Sequence, residues 1–323
     1  MKVLSSLPPQ DDPRLLVGSK HFDDAGVLKL SDDLALVQST DFFPPVVDDP
    51  WWFGRIAAAN ALSDIYAMGA KPLSVLNLVV FNNDDLPMEV LGTILQGGED
   101  AVREAGAVTL GGHSVSDEGV KFGLAVTGTV RPGDEVTNGG AQVGDRLYLT
   151  KKLGSGCLTT AARKDALSDD ELDAVQRSMG ALNAAAAEAM CAVGVKAATD
   201  VTGFGLAGHG HELALASEVD LVFQVSALPF LPGAERCMEA GFASGGTART
   251  RDHLGDQLVV EPGVSELHVA LATDSETSGG LLLAVPEAQA ARLEAELTQR
   301  DVLVAAVGRV ESSDGSPRVR LSP

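Results

Sequence analysis

Several aspartates of this chain stand where apolar or glycine-rich surroundings offer them no obvious partner. "HFDDAGV" puts Asp23 and Asp24 at the edge of an apolar strand pattern, and "QSTDFF" puts Asp41 immediately after the strand pattern 34–40. Asp64 is the one charged residue between Ile56 and Ala70, and "KAATDVTGFG" ends a short strand pattern on Asp200. An ionised carboxylate is costly to bury unless something pairs with it. Turn and helix N-cap positions are the commonest use of Asp and account for any one of these taken alone. Asp64 fits that use worst, because it lies inside a helical pattern where Asp has poor propensity. Asn60 precedes it by one helical turn, so both project from one face, a narrow polar groove walled by alanines. Carboxylates converging from separate segments are the usual way to hold Mg²⁺, with water and phosphate supplying the remaining oxygens.

The glycine-rich segments are weaker signals. No G-x-x-x-x-G-K-[ST] occurs, which excludes a P-loop enzyme. "TLGGHS" (109–114) runs a strand pattern into Gly111-Gly112-His113-Ser114, either an ordinary turn or an anion-binding nest with Ser114 as a further donor. "GFGLAG" (203–208) matches G-x-G-x-x-G, but Asp200 would crowd a pyrophosphate and the next strand pattern ends Gln224-Val225-Ser226 without an acid. "HGHE" (209–212) lacks the spacing and companion ligands of a zinc site and reads as polar residues of a helix face.

Elements that would position these residues alternate along the chain. Strand patterns at 34–40, 72–81, 107–110 and 121–130 are interleaved with helical patterns at 53–69 and 87–106. "RPGDEVTNGGAQVGD" (131–145) reads as a linker or hairpin near a domain boundary, dividing the chain into 1–142 and 143–323. The second half offers an alanine-rich helix, a strand at "VDLVFQV", a glycine-rich polar loop at 241–257 and "TSGGLLLAVP" as a turn feeding a buried strand. A final helix precedes what reads as the last strand pair. The pattern predicts an α+β protein of two layered domains without short tandem repeats.

Composition narrows the partners. A formal net charge of −21 repels nucleic acid and anionic membranes, so neither is expected. No apolar run is long enough to span a bilayer, and the first residues lack a signal-peptide core. Cys157, Cys191 and Cys237 lie far apart without a C-x-x-C, which fits reduced thiols and a cytoplasmic location.

Taken in order, "LLVGSKHFDDAGV", "QSTDFFPPVVDDPWWFGRIAAANALSDIYAMGAKP", "LGGHSV", "FGLAVTGTV", "ATDVTGFGLAGHGHE" and "DSETSGGLLLAV" resemble the selenophosphate synthetases, or selenide, water dikinases. The resemblance covers essentially the whole chain. Its most specific parts are Asp200 to Leu206 with His209, and Thr277-Ser278-Gly279-Gly280-Leu281. Thiamine-monophosphate kinase, aminoimidazole ribonucleotide synthetase and a hydrogenase maturation factor share the paired aspartates and the Asn/Asp helix, not the full combination. The resemblance implies a fold like that of aminoimidazole ribonucleotide synthetase, with N-terminal domains pairing into a homodimeric β-barrel and a C-terminal α/β sandwich. It implies that ATP, selenide and water give selenophosphate, AMP and phosphate. It implies Mg²⁺ on Asp24, Asp64 and Asp200, with Asp41 and again Asp64 on the nucleotide side. His21, Phe22, Asp23 and Gly112-His113-Ser114 would line the ATP site.

That family carries a glycine-rich arm with a reactive cysteine or selenocysteine, then a lysine, ahead of the segment matching Leu15-Leu16-Val17-Gly18. Met1 stands just downstream of that place, Lys2 follows no cysteine, and the three cysteines match nothing catalytic. The expectation is a sequence incomplete at its start, or else a protein whose selenium step is lost or changed. As alternatives, the chain is a small-molecule kinase or synthetase of the same superfamily, or a catalytically impaired ATP-binding homologue.

Overall fold

The protein is seen in a computed structural model that describes residues 11–18 and 22–323. Its first half runs β1 (Leu15–Val17), β2 (Gly26–Lys29), β3 (Ala35–Phe43), α1 (Pro50–Ala67), β4 (Lys71–Phe81), α2 (Met88–Glu104), β5 (Val108–Ser116) and β6 (Lys121–Val130). The strands form one sheet in the order β1-β2-β3-β6-β4-β5, antiparallel except for β4 beside β5. Within one chain this sheet is open, with β1 and β5 at its edges among the described residues.

Helix α1 starts earlier than its apolar pattern because Asp49 caps it. The Asp49 carboxylate accepts from the Trp52 N–H at 2.8 Å, and Pro50 fills the first turn, where its missing N–H costs nothing. The helix stops at Gly69, whose φ of +67° suits the left-handed end of a helix. Almost all of α1 is buried, which is why small side chains dominate it. At Gly54 a Cβ would lie 1.9 Å from the Ile94 carbonyl, and at Gly97 it would lie 2.0 Å from that of Trp51. Helices α1 and α2 therefore meet backbone to backbone.

Two strands outrun their sequence patterns. β3 continues through Asp41 to Phe43 because β6 pairs with it residue for residue as far as Phe122. Asp41 is thus inside a strand, not after one. β5 continues to Ser116 alongside β4, so Gly111 to Ser114 form an extended edge strand and not a nest. Gly112 lies opposite Asn77, and a Cβ there would stand 2.2 Å from the Asn77 carbonyl.

The second half runs β7 (Arg146–Leu149), α3 (Ser155–Ala162), α4 (Asp169–Gly180), α5 (Ala184–Val193), β8 (Ala197–Asp200), α6 (Gly205–Ser217) and β9 (Val219–Gln224). It continues with α7 (Ala234–Glu239), α8 (Gly245–Leu254), β10 (Leu258–Val260), α9 (Glu266–Thr273), β11 (Leu281–Val285), α10 (Glu287–Gln299), β12 (Ala305–Ser312) and β13 (Val319–Ser322). The sheet order is β10-β13-β9-β12-β7-β11-β8. β11 is buried throughout, and its alternate residues enter two cores: Leu281, Leu283 and Val285 on one face, Leu282 and Ala284 on the other. The first of these cores is continuous with the one around α1 and joins the two halves.

Two expectations change here, and a third holds. The glycine-rich segment 241–257 contains α8, nucleated where the Ser244 side chain accepts from the Gly246 N–H at 3.2 Å. β12 and β13 do not pair with each other, because both flank β9. β8 and β9 are separated by β11, β7 and β12, so "GFGLAG" does not sit in the βαβ unit of a dinucleotide fold. Among the described residues no helix is long and apolar enough to cross a membrane.

Candidate functional site

The polar residues of α1 recur at helical spacing, so Asn60, Ser63 and Asp64 share one face. That face lies along the seam between the halves. The Asn60 amide donates to Asp41 on β3, while its Oδ1 accepts from the Ser278 N–H at 2.9 Å. Ser63 accepts from the Asn183 amide at 2.9 Å and donates to Asp200 at the end of β8. The Asn183 amide also donates to the Gly279 carbonyl at 2.8 Å, which fixes the Ser278–Gly280 turn against α1. Asp64 accepts from the Ser39 hydroxyl of β3.

Asp24 arrives from the loop before β2, where Thr199 of β8 donates to its Oδ1 at 2.9 Å. The connection after β6 secures the same loop. There the Asn138 N–H donates to Asp23 at 2.7 Å and its amide to the Phe22 carbonyl at 2.8 Å. Phe22 takes a φ of +56°, a conformation few non-glycine residues adopt, and turns its half-exposed ring toward the cavity.

The cavity measures about 330 Å³. Phe22, Asp23, Asp24 and Asp64 line it from the first half, and Asp200, Thr202, Phe204, His209 and Glu212 from the second. Asp41 is not on its wall and is tied to it through Asn60. Gly112, His113 and Ser114 lie on the outer edge strand, with β6 and β4 between them and β3, so one chain does not bring them to the cavity. His21 lies outside the described residues.

The acids are short of compensation. Burial, then repulsion by Asp200, holds the carboxyls of Asp24 and Asp64 well above the usual range. Asp200 is itself raised by burial, against the opposing pull of His209, the Ser63 hydroxyl and Lys151. Asp41 is raised by burial and by Asp200. Oδ2 of Asp24 and Oδ2 of Asp200 are buried without a hydrogen-bond partner. Among the described residues no three His, Cys, Asp or Glu side chains form a ready-made ligand shell. The acids instead border a space that other oxygens can enter. Bare carboxylate oxygens around such a space are the donor chemistry of a hard divalent cation shared with phosphate.

Ser63 and Asn183 were not singled out by the sequence; Thr202 and Phe204 entered only through the resemblance, and His209 and Glu212 were read as polar residues of a helix face. The helical spacing that joins Asn60 to Asp64 also reaches Ser63, and the same spacing joins His209 to Glu212 on α6. For Asn183 no local signal exists, since it sits at a helix start far from the aspartates in sequence.

Known proteins match this architecture along nearly its full length. The family description "AIR synthase related protein, N-terminal domain" matches residues 22–130, and "AIR synthase related protein, C-terminal domain" matches residues 142–320. A "Selenide, water dikinase" of Porphyromonas gingivalis is 47% identical over 92% of this chain and 84% of its own length. One from Nitratidesulfovibrio vulgaris is 43% identical over 100% of this chain and 93% of its own. Among solved structures, a thiamine-monophosphate kinase from Stenotrophomonas maltophilia superposes with a TM-score of 0.71 at 18% identity, covering 96% of this chain and 92% of that one. That likeness speaks to the fold alone.

Proposed function

We infer the function from kinship: this chain belongs to the selenide, water dikinase family of AIR synthase-related proteins. Its reaction is the ATP-dependent formation of selenophosphate, in which ATP, selenide and water give selenophosphate, AMP and phosphate. The observation that carries this reading is the meeting of acids from both halves in one cavity, two of them with buried, unpartnered oxygens.

Asp24, Asp64 and Asp200 would hold Mg²⁺, which would neutralise phosphate charge where phosphoryl transfer takes place. Asp41, kept in register by Asn60, serves the nucleotide side together with Asp64. His21, Phe22 and Asp23 border the ATP. Such a reaction asks the protein for positioning and charge placement more than for covalent chemistry. The seam supplies this, because α1 fixes acids of both halves to one rigid face.

The active unit is a homodimer in which two open sheets complete a β-barrel. Support comes from β5, an edge strand that exposes Val108, Leu110 and Val115, and from Phe42 and Leu76 on the same sheet. Exposed apolar edge strands are rare unless something covers them. Pairing through this edge also carries Gly112, His113 and Ser114 away from their own cavity and toward a second copy. Cys157, Cys191 and Cys237 are all free thiols, in keeping with a reducing cytoplasm.

The test is a mixture of protein, ATP, Mg²⁺ and selenide followed by nucleotide chromatography and ³¹P NMR. Equal amounts of AMP and selenophosphate, formed only with selenide, are expected. ADP as the sole nucleotide product, with no response to selenide, would overturn this reading in favour of a small-molecule kinase. Light scattering should give a dimer, and Leu110→Lys a monomer.

A further inference from the structure

The carboxylates leave one stretch of the cavity wall unexplained: Thr202, Phe204, His209 and Glu212. These follow Asp200 in the turn before α6 and on its first turns. His209 is 8% exposed, and its ring is anchored at Nε2. Nε2 accepts from the Phe204 N–H at 3.4 Å and lies 3.1 Å from the Thr202 hydroxyl. A backbone N–H can only donate, so Nε2 carries the lone pair and the ring proton resides on Nδ1. Nδ1 makes no hydrogen bond but stands 3.1 Å from Oε2 of Glu212, one helical turn further on, at ion-pair distance. A carboxylate facing Nδ1 and a lone pair on Nε2, beside a reaction cavity, are the attributes of an oriented general base.

We propose that His209, oriented by Glu212, is the general base for the water half of the reaction; this rests on the selenide, water dikinase reading above. The overall reaction moves one phosphoryl group to selenium and another to water. Hydroselenide is already an anion at neutral pH and needs no base. Water must lose a proton to become a competent nucleophile, and a bound cation would engage the lone pairs of the aspartates. The 3.4 Å approach of Phe204 is long and the Thr202 hydroxyl can rotate, which opens Nε2 to a water in the cavity.

In the step itself, the water oxygen bonds to phosphorus as the phosphorus–oxygen bond to the nucleotide breaks. The electron pair of that bond stays on the departing AMP phosphate. The water proton goes to Nε2, the resulting imidazolium is stabilised by Glu212, and the proton is then released to solvent.

Two experiments test this. In wild-type protein, selenophosphate and AMP form in a ratio of one. His209→Asn should slow AMP formation by about 10²–10⁴-fold, the range of general-base catalysis, with transfer to selenide much less affected. ADP should then accumulate and the ratio of selenophosphate to AMP should rise above about ten, whereas Glu212→Gln should shift the same ratio by a smaller factor. An unchanged AMP rate, or both products falling together at a ratio of one, would overturn the assignment. The second experiment needs no variant: long-range ¹H–¹⁵N correlation spectra of the wild type should show His209 protonated at Nδ1 and bare at Nε2. The opposite tautomer would overturn the proposal. A wild type that yields only ADP with every acceptor would defeat the family chemistry for this chain, and the proposal with it. A wild type that yields AMP, with a variant ratio still at one, defeats the general base alone.

Discussion

Asp24 and Asp200 border the seam cavity while Asp274 and Glu276 lie buried away from it, and the chain supplies the two pairs with donors to different degrees. Glu276 accepts from the Gly154 N–H at 2.7 Å, the Ser155 N–H at 2.9 Å and the Ser155 hydroxyl at 2.5 Å, at the N-terminus of α3. Asp274 accepts from the Ser244 N–H at 3.0 Å and the Thr247 hydroxyl at 2.6 Å, and only its Oδ2 lacks a partner. Asp24 has the Thr199 hydroxyl alone on Oδ1, and its other oxygen is bare. Acids that a protein surrounds with donors serve its architecture, whereas acids kept short of donors await a partner from outside. The better-satisfied pair also braces the other. The Glu276 N–H donates to the Thr202 carbonyl at 2.8 Å and the Ser275 hydroxyl to the Gly203 carbonyl at 2.7 Å, which shapes the wall next to Asp200.

The sharpest way to break this contrast is Asp64→Asn. If the seam acids exist for a cation, metal-dependent ATP turnover should fall on the order of 10³-fold. The metal-free protein should melt no lower than wild type, since one repelling carboxylate has gone. A variant that unfolds would move Asp64 into the architectural class. Glu276→Ala should behave the other way, losing about 2–4 kcal/mol of unfolding free energy in urea because three donors are left unpaired. Unchanged stability would remove the distinction.

Mg²⁺ at a hundred times its dissociation constant should stabilise wild-type protein by about 2.7 kcal/mol, seen as a rise in melting temperature. Asp24→Asn should abolish that rise, and Glu276→Gln should leave it in place. The smallest effect is on pH dependence. Burial and mutual repulsion raise the seam carboxyls in the folded state, and burial pushes Glu276 up to about 7 from 4.5. Between the unfolded and folded values the native state binds more protons, so stability falls as pH rises through that window. For Glu276 the window is pH 4.5 to about 7, and the metal-free protein should gain stability on going from pH 7.5 to 5. Glu276→Gln should flatten part of that slope, and Mg²⁺ should remove the part due to the seam.

Much of this contrast was legible in the sequence on one side only. Asp64 stood out because a lone acid in an alanine helix conflicts with both propensity and burial, and its partner Asn60 follows from helical spacing. The ends of β3 and β5 were not legible, because a strand stops where its neighbour stops pairing, and that neighbour lies far along the chain. The same holds for the bonds that assemble the site. Thr199 meets Asp24 across 175 residues and Ser278 meets Asn60 across 218, separations at which no local pattern carries information. His209 and Glu212 were within reach of a spacing rule, but nothing local showed that their helix face borders the cavity.

Asn60 holds one half of the molecule by its oxygen and the other by its nitrogen. Because Ser278 offers a backbone N–H, the amide has only one orientation that satisfies both neighbours. That makes it a point of chemical ageing: hydrolysis of this single amide to a carboxylate would set a new negative charge against Asp41 without altering the shape of the side chain. A preparation damaged there would keep its helices and its mass to within an atom's exchange, and its bond to the Ser278 N–H, yet α1 and β3 would repel where the amide now joins them.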